Sequence, residues 1–398
     1  MATTTKYLGD FIEEIDERAG KDSRYSLNDI RGISSITKLF QETKANLVDV
    51  SPAGYKVVKP TQFAFNPNTA RMGDKIPIAL NMENHEVLVS SIYPVFAIKN
   101  PNELDPQYLW LWFKRPEFDR YARFKSHGSA REIFSWEEMC NVQLPMPDIN
   151  TQRKIVNNYE VITRRIELLQ KINDNLERIA FLDFRKTIAN FYNDEDLPEG
   201  WQKKKLGDVC DVKGGKRLPV NHELTNAPTK HPYIRVRDVG SSRYVCLTDQ
   251  SQFIDEETYK SISRYIVDTD DIIMSIVGTI GLIGKIHHSL NKANLTENCV
   301  KLTNIRSITS DYLYYTLLYK KKIKEIELLT VGAVQPKLPL YNIQSIDIII
   351  PPESYLKEFQ KKMDIINQTV EANTVEIREL NNLASSFLAR AAKGGALN

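Results

Sequence analysis

The chain of 398 residues is 42% hydrophobic, 26% charged and 9% aromatic, enough apolar material for two or more ordinary cores and too much for a disordered tail. Its 53 Lys and Arg face 51 Asp and Glu, so a net charge of +2 excludes a histone-like positive coat, and a polyanion must be met by local placement of charge. Four widely spaced cysteines, Cys140, Cys210, Cys246 and Cys299, exclude a disulfide framework and a close-set zinc pair; with no apolar leader and no apolar run of membrane-spanning length, a soluble cytoplasmic protein is expected.

The first segment, residues 1–147, begins with Leu8-Gly9-Asp10 and continues through short β-rich runs around Val57, Phe63, Phe65, Val87, Val89 and Val95 to a helical piece, Tyr108 to Tyr121. It ends at Gly128-Ser129-Ala130-Arg131 and Pro147. From 151 to 197 there is neither glycine nor proline, and Ile155, Tyr159, Ile162, Ile166, Leu169, Asn173 and Leu176 recur at alternating steps of four and three. That spacing predicts a long coiled-coil helix over 148–192. The acidic, Pro/Gly-containing stretch 193–200 then reads as a linker.

The second segment, 201–350, repeats the first. Leu206-Gly207-Asp208 answers Leu8-Gly9-Asp10 at a shift of 198, and Tyr312-Leu313-Tyr314 answers Tyr108-Leu109-Trp110 at a shift of 204. Gly332-Ala333-Val334-Gln335 and Pro351 stand at the same shift of 204 from Gly128–Arg131 and Pro147. β-rich runs are expected at Ile234, Val236, Ile272, Ile273, Ile276, Ile283 and Ile286, and a helical piece from Asp311 to Leu329. A second long helix is predicted over 351–398, with the seam Phe359, Met363, Ile366, Val370, Asn373, Ile377, Leu380. Neither helix is stable with an apolar stripe in water, so each is expected to bury its seam against the other, antiparallel, with Asn173 and Asn373 setting register. The fold class is α+β: two domains in an internal pseudo-twofold repeat, separated by two long helices forming an antiparallel coiled coil.

Catalytic motifs are missing. Phe65-Asn66-Pro67-Asn68 lacks the second proline and aromatic of an adenine methyltransferase, and Gly278-Thr279-Ile280-Gly281-Leu282-Ile283-Gly284 has the wrong glycine spacing for a dinucleotide turn. His287-His288 are adjacent on an expected strand and should point to opposite faces, so no metal site is expected. Binding remains. Lys213-Gly214-Gly215-Lys216-Arg217 joins cations to glycines that permit close backbone approach to phosphate, and Arg235, Arg237, Arg243 and Arg264 cluster nearby, Arg235 and Arg237 by alternation on one strand face. Arg31, Lys38, Asn66, Asn68, Arg71, Arg123, Lys125, His127 and Arg131 form the comparable set in the first half. The repeated glycine turns add Ser129 beside Arg131, and Gln335, to the candidates; Arg and Gln read different bases.

This arrangement resembles the specificity subunit of a type I DNA restriction-modification system over essentially the whole chain. The carriers are Trp201 with Leu206-Gly207-Asp208, Gly214-Gly215-Lys216-Arg217, Tyr233 to Val239, Asp271 to Ser275 leading to Gly278-Thr279-Ile280-Gly281, Gly332 to Gln335, Leu144-Pro145-Met146-Pro147 with Gln152, and Ile350-Pro351-Pro352. These motifs bring Ser275, Thr279 and Lys337 into the DNA-binding set. The resemblance implies a non-catalytic reader of a bipartite, asymmetric double-stranded DNA site, with 1–147 and 201–350 as two target recognition domains and the paired helices as spacer. It implies two modification subunits that carry S-adenosylmethionine, restriction subunits that use ATP and Mg, and no cofactor on this chain. The first half departs from the pattern: it has no Trp before Leu8, and Asp22 to Arg31 stand where a basic glycine turn is expected, so that turn carries over only to Lys216 and Arg217. The alternatives are a coiled-coil adaptor that does not touch DNA and a fused methyltransferase or nuclease.

Overall fold

The computed structural model describes residues 5–21, 24–43, 45–68, 75–126, 132–191, 197–240, 242–248, 250–332 and 334–391. Two compact units emerge: 1–169 with 375–398, and 170–374. Each long helix therefore gives one half to each unit. The first runs Ile149–Ile188 and the second Glu353–Ala391, 40 and 39 residues, or about 60 Å each at ~1.5 Å per residue.

In the first unit an antiparallel sheet has the order Ile12–Ile15, Val95–Ile98, Phe63–Phe65, Ile78–Leu80. Its core is aromatic: Phe63 stacks on Phe96 at 4.9 Å, and Phe113, Phe118 and Phe134 close around them. Thr5–Tyr7 pairs with Gln143–Pro145, so the chain enters and leaves on adjacent strands. The helical piece expected from Tyr108 to Tyr121 is two helices, Pro106–Phe113 and Pro116–Lys125, because Pro116 has no N–H with which to continue the first. Asp105 caps the first through the amides of Gln107 and Tyr108. Tyr108 donates its hydroxyl proton to the Pro145 carbonyl at 3.0 Å. Buried Gln152 ties the loop before that helix to the start of the long one, through Asp105, Glu103 and Pro147.

The second unit builds the same parts with different accessories. Its five-stranded sheet has the order Asp211–Gly214, Cys299–Thr303, Ile272–Ser275, Ile283–Ile286, Tyr244–Val245, the last pair parallel. A separate three-stranded sheet has the order Gln252–Ile254, His231–Ile234, Asn294–Leu295. Gln202–Lys205 pairs with Asp347–Ile350, repeating the closure, and Tyr312 repeats the hydroxyl bond, to the Ile349 carbonyl at 2.9 Å. The helical piece expected from Asp311 to Leu329 is again two helices, Ser310–Lys322 and Glu325–Leu328, broken at Lys324, which lies in the left-handed region at φ 63°.

Antiparallel pairing is evident inside each unit. In the second, Asn373 Nδ2 donates to Asn173 Oδ1 at 2.7 Å while Lys362 meets Asp183 at 3.1 Å, so the partner number falls as the other rises. In the first, Arg165 bonds Glu376 at 2.7 Å, and Ile155 lies near Leu388 and Ala391. The seam side chains Ile155, Tyr159, Ile166, Leu169, Phe359, Met363 and Val370 are buried. Ile162, Asn173, Leu176, Ile366, Asn373, Ile377 and Leu380 are half-buried. The two seam asparagines answer one another.

Candidate nucleic-acid interface

Strand register collects the second unit's candidate residues at one end of its sheet. Gly214 pairs with Val300, Ser275 with Cys299, and Met274 with Ile283, so the turns after Gly214, after Ser275 and before Cys299 share that end. Gly215 is required there by its own chain: a Cβ would lie 2.0 Å from the Thr296 carbonyl oxygen. It delivers Lys216 and Arg217 to the surface. Arg217, with a side chain 80% exposed, leans on Glu297 at 2.7 Å, and Lys216 sits 5.7 Å over the Tyr265 ring beside exposed Arg264. Lys213 is exposed and 3.3 Å from Asp211.

The turn of Ser275 to Leu282 stands next to them. Buried Ser275 is its hub: its hydroxyl donates to the Thr279 carbonyl at 2.5 Å and accepts the Leu282 amide at 2.9 Å, with Gly278 and Gly281 at φ 78° and 75°. Thr279 is exposed at the tip. An isolated bridge from Val277 to Lys337 brings in the Gly332 loop, closed by reciprocal bonds between Val331 and Lys337 at 2.8 and 2.9 Å. Gln335 and Lys337 are exposed on it.

The first unit repeats this end. Ile15 pairs with Val95 and Phe65 with Ile78, so the turn after Phe65, which carries Asn66 and Asn68, occupies the place of the Ser275 turn. Asn68 bridges Ile133 as Val277 bridges Lys337, at the same shift of 204 between Ile133 and Lys337. Asn66 is buried, its side-chain oxygen accepting the Asn68 amide at 3.1 Å, and Asn68 is half-buried. Arg71, His127, Ser129 and Arg131 lie outside the described residues. Lys125 ends its helix 3.6 Å from Glu138. Arg31 turns back on the carbonyls of Asn28 and Ile30. The strand end equivalent to Gly214 is Ile15, followed by Asp16-Glu17-Arg18; Asp16 meets Lys56 at 3.1 Å and Glu17 meets Lys59 at 2.6 Å. The position of the basic turn is thus filled by Asp16-Glu17-Arg18, whose acids are paired; of the stretch Asp22 to Arg31, residues 22 and 23 lie outside the described residues.

Four sequence expectations are corrected. Lys38 is 2% exposed and bonds Asp119 and the Ile76 carbonyl, while its own carbonyl accepts from Trp110 Nε1 at 2.9 Å; it is a core ion pair and not a surface cation. Arg243, 3% exposed, is the second inward cation. It lies 3.2 Å from Glu177 of the first long helix and donates to Tyr315 at 3.1 Å and to Asn367 of the second long helix. Arg235 does not share a strand face with Arg237, because the strand ends at Ile234 and Asp238 folds the chain into a 3₁₀ turn. The carboxylate accepts Arg235 Nε at 2.8 Å and Nη2 at 2.7 Å, leaving only Arg237 outward. Finally, His287 and His288 do not point apart. The strand ends at Ile286, the chain enters a 3₁₀ turn, and both rings reach Glu371.

The far end of the second unit's sheet is held to the helices by a buried network that the sequence did not reveal. Asp311 accepts from Lys285 at 2.9 Å, Asn367 at 2.9 Å and Gln360 at 3.1 Å, and Glu177 accepts the Tyr315 hydroxyl at 2.8 Å. Burial pushes the Asp311 carboxyl up, but Lys285 and Arg243 outweigh it and hold the group below its ordinary range; for Glu177 burial wins over Arg243 and the carboxyl is raised. Among the described residues, the one group with the makings of a metal site is His287, His288 and Glu371. No helix there is long and apolar enough to cross a membrane.

A model of the type I restriction modification DNA specificity domain matches residues 76–178 and 198–384, one stretch in each half. The chain belongs to that family. It is a specificity subunit of a type I restriction-modification system, a recognition component and not a catalytic one. It is 27% identical over 303 residues to the MjaIX specificity subunit of Methanocaldococcus jannaschii, covering 71% of this chain and 67% of that one. It is 20% identical over 420 residues to the HindI specificity subunit of Haemophilus influenzae, covering 88% and 90%. The crystal structure of the S subunit from M. genitalium superposes with a TM-score of 0.51 over 97% of this chain and 94% of the other, at 17% identity, a likeness of fold.

Proposed function

We propose that each unit reads one half of a bipartite, asymmetric double-stranded DNA site in the cytoplasm. The equivalent sheet ends, Gly214/Ser275/Gly332 in one unit and Phe65/Asn68/Ile133 in the other, are the reading edges. The carrying observation is the repeated bridge, Asn68 to Ile133 and Val277 to Lys337, which gives both halves the same two-loop edge. Lys213, Lys216, Arg217, Arg237, Arg264 and Lys337 supply phosphate contacts, and Thr279 and Gln335 stand where base edges are reached. The paired helices fix the unread gap and dock two modification subunits that carry S-adenosylmethionine, with ATP- and Mg-dependent restriction subunits completing the complex. Linking two readers raises the effective concentration of the second once the first is bound. With a net charge of only +2, DNA binding by the chain alone is weak and strengthens with its partners.

The test is to map methylated adenines in cells carrying this chain with its modification subunits. A two-part motif with a fixed gap is expected, and a single undivided motif or none refutes the reading. In the same complex, Arg217→Ala weakens binding evenly across sequences and lowers the salt slope by about 1.

A further inference from the structure

We propose that His287, His288 and Glu371 bind one zinc-class divalent cation, which would fasten the sheet of the second recognition domain to the second long helix. His287 Nε2 and His288 Nδ1 each lie 3.5 Å from the same carboxylate oxygen of Glu371, and all three donors fall within 4.8 Å of one another. Metal bonds of about 2.0–2.1 Å in tetrahedral array set ligands about 3.4 Å apart, so two of the three edges already have the right length. Two imidazoles and a carboxylate, with a fourth position open to water, are a donor set that suits zinc better than calcium or magnesium.

A second contact supports the site. A ligating imidazole normally donates its other ring proton to a fixed acceptor, and His287 Nδ1 lies 2.9 Å from Ser289 Oγ. That hydroxyl is itself anchored, accepting the Leu247 amide at 3.0 Å. With the proton on Nδ1, the Nε2 lone pair faces Glu371, which is the tautomer a metal requires; the Ser289 amide, 3.2 Å from Nδ1, would give up its contact. Val245 accepts the His287 amide and so sets Cys246 close by, where burial and then the Glu371 charge push the thiol up to about 11. The first unit is an internal control. At the place of His287, two residues beyond its matching strand Ile78–Leu80, stands Met82, which with Glu167 lines a cavity and offers no imidazole. The rival for the cluster is a pair of histidine–glutamate ion pairs with no metal.

The discriminating experiment uses the full, tag-free chain stripped with chelator and titrated with zinc chloride by calorimetry, with cobalt absorption as a second reading. One equivalent is expected, together with a zinc-dependent rise in melting temperature. His288→Ala and Glu371→Gln should each weaken binding about tenfold or more and abolish the rise. Both side chains are exposed, so the variants should retain the far-UV signal of the parent. Absence of saturable binding, or equal binding by parent and both variants, overturns the proposal and leaves ion pairs only.

Discussion

The wedge between the short helix and the long helix is built twice on one backbone plan and filled in two ways. In the second unit Asp311, Tyr315, Gln360 and Asn367 surround Arg243 and Lys285, a charged filling whose members are hydrogen-bonded or ion-paired. At the same shift the first unit has Gln107, Leu111, Val156 and Thr163, none of them charged, which line a cavity of about 340 Å3 with Leu39, Met82, Trp110 and Tyr159, while Lys114, Glu160, Arg164 and Glu167 complete the lining and Lys114 lies over the Trp110 and Tyr159 rings. Its buried cations, Lys38 and Lys56, are spent elsewhere, on Asp119 and Asp16. Apolar contact tolerates small sliding, whereas a planar guanidinium between fixed acceptors does not. The second reader is therefore the more firmly indexed to its helices.

Breaking that network should have the largest effect. Arg243→Met leaves buried Asp311 and half-buried Glu177 with one cation fewer and should cost about 3–5 kcal/mol. The loss should be confined to the second unit: hydrogen exchange followed by mass spectrometry would show amides of 170–374 losing protection while those of the first unit keep theirs. Lys38→Met is the mirror test, with a cost of about 3 kcal/mol and the loss now in the first unit. If either variant loosened both units alike, the two fillings would not be independent.

The smallest change sharpens the comparison instead. Asn173→Leu with Asn373→Leu removes a hydrogen bond that both helices share and replaces it with apolar contact. Melting temperature should rise slightly, while cysteine cross-linking along the seam should report more than one register, because a polar seam pair trades stability for uniqueness. Unchanged melting and a single cross-linked register would remove the register role.

How much of this the sequence disclosed follows from the range of the interactions. The long helices were legible because their seam is local: steps of three and four need no knowledge of the partner, and the absence of glycine and proline confirms them. The repeat was legible because strand closure reuses the same words, Leu-Gly-Asp at the start and a proline at the end. Lys38 and Arg243 were misread since a basic side chain looks the same on the surface and in the core. What turns Lys38 inward is Asp119, 81 residues away, and Arg243 answers to Glu177 and Asn367, the latter 124 residues on. Arg235 was decipherable, for Asp238 three residues later is a local partner that competes with strand geometry. The histidine pair failed on a boundary of one residue: alternation holds to Ile286 and ends there.

The closing strands have a consequence for ancestry. Because Thr5–Tyr7 lies against Gln143–Pro145 and Gln202–Lys205 against Asp347–Ile350, everything between each pair behaves as a cassette with its two ends side by side. Such a module can be exchanged, or the chain recut between modules, without rethreading the helices, so new combinations of the two units can arise by recombination in a single step.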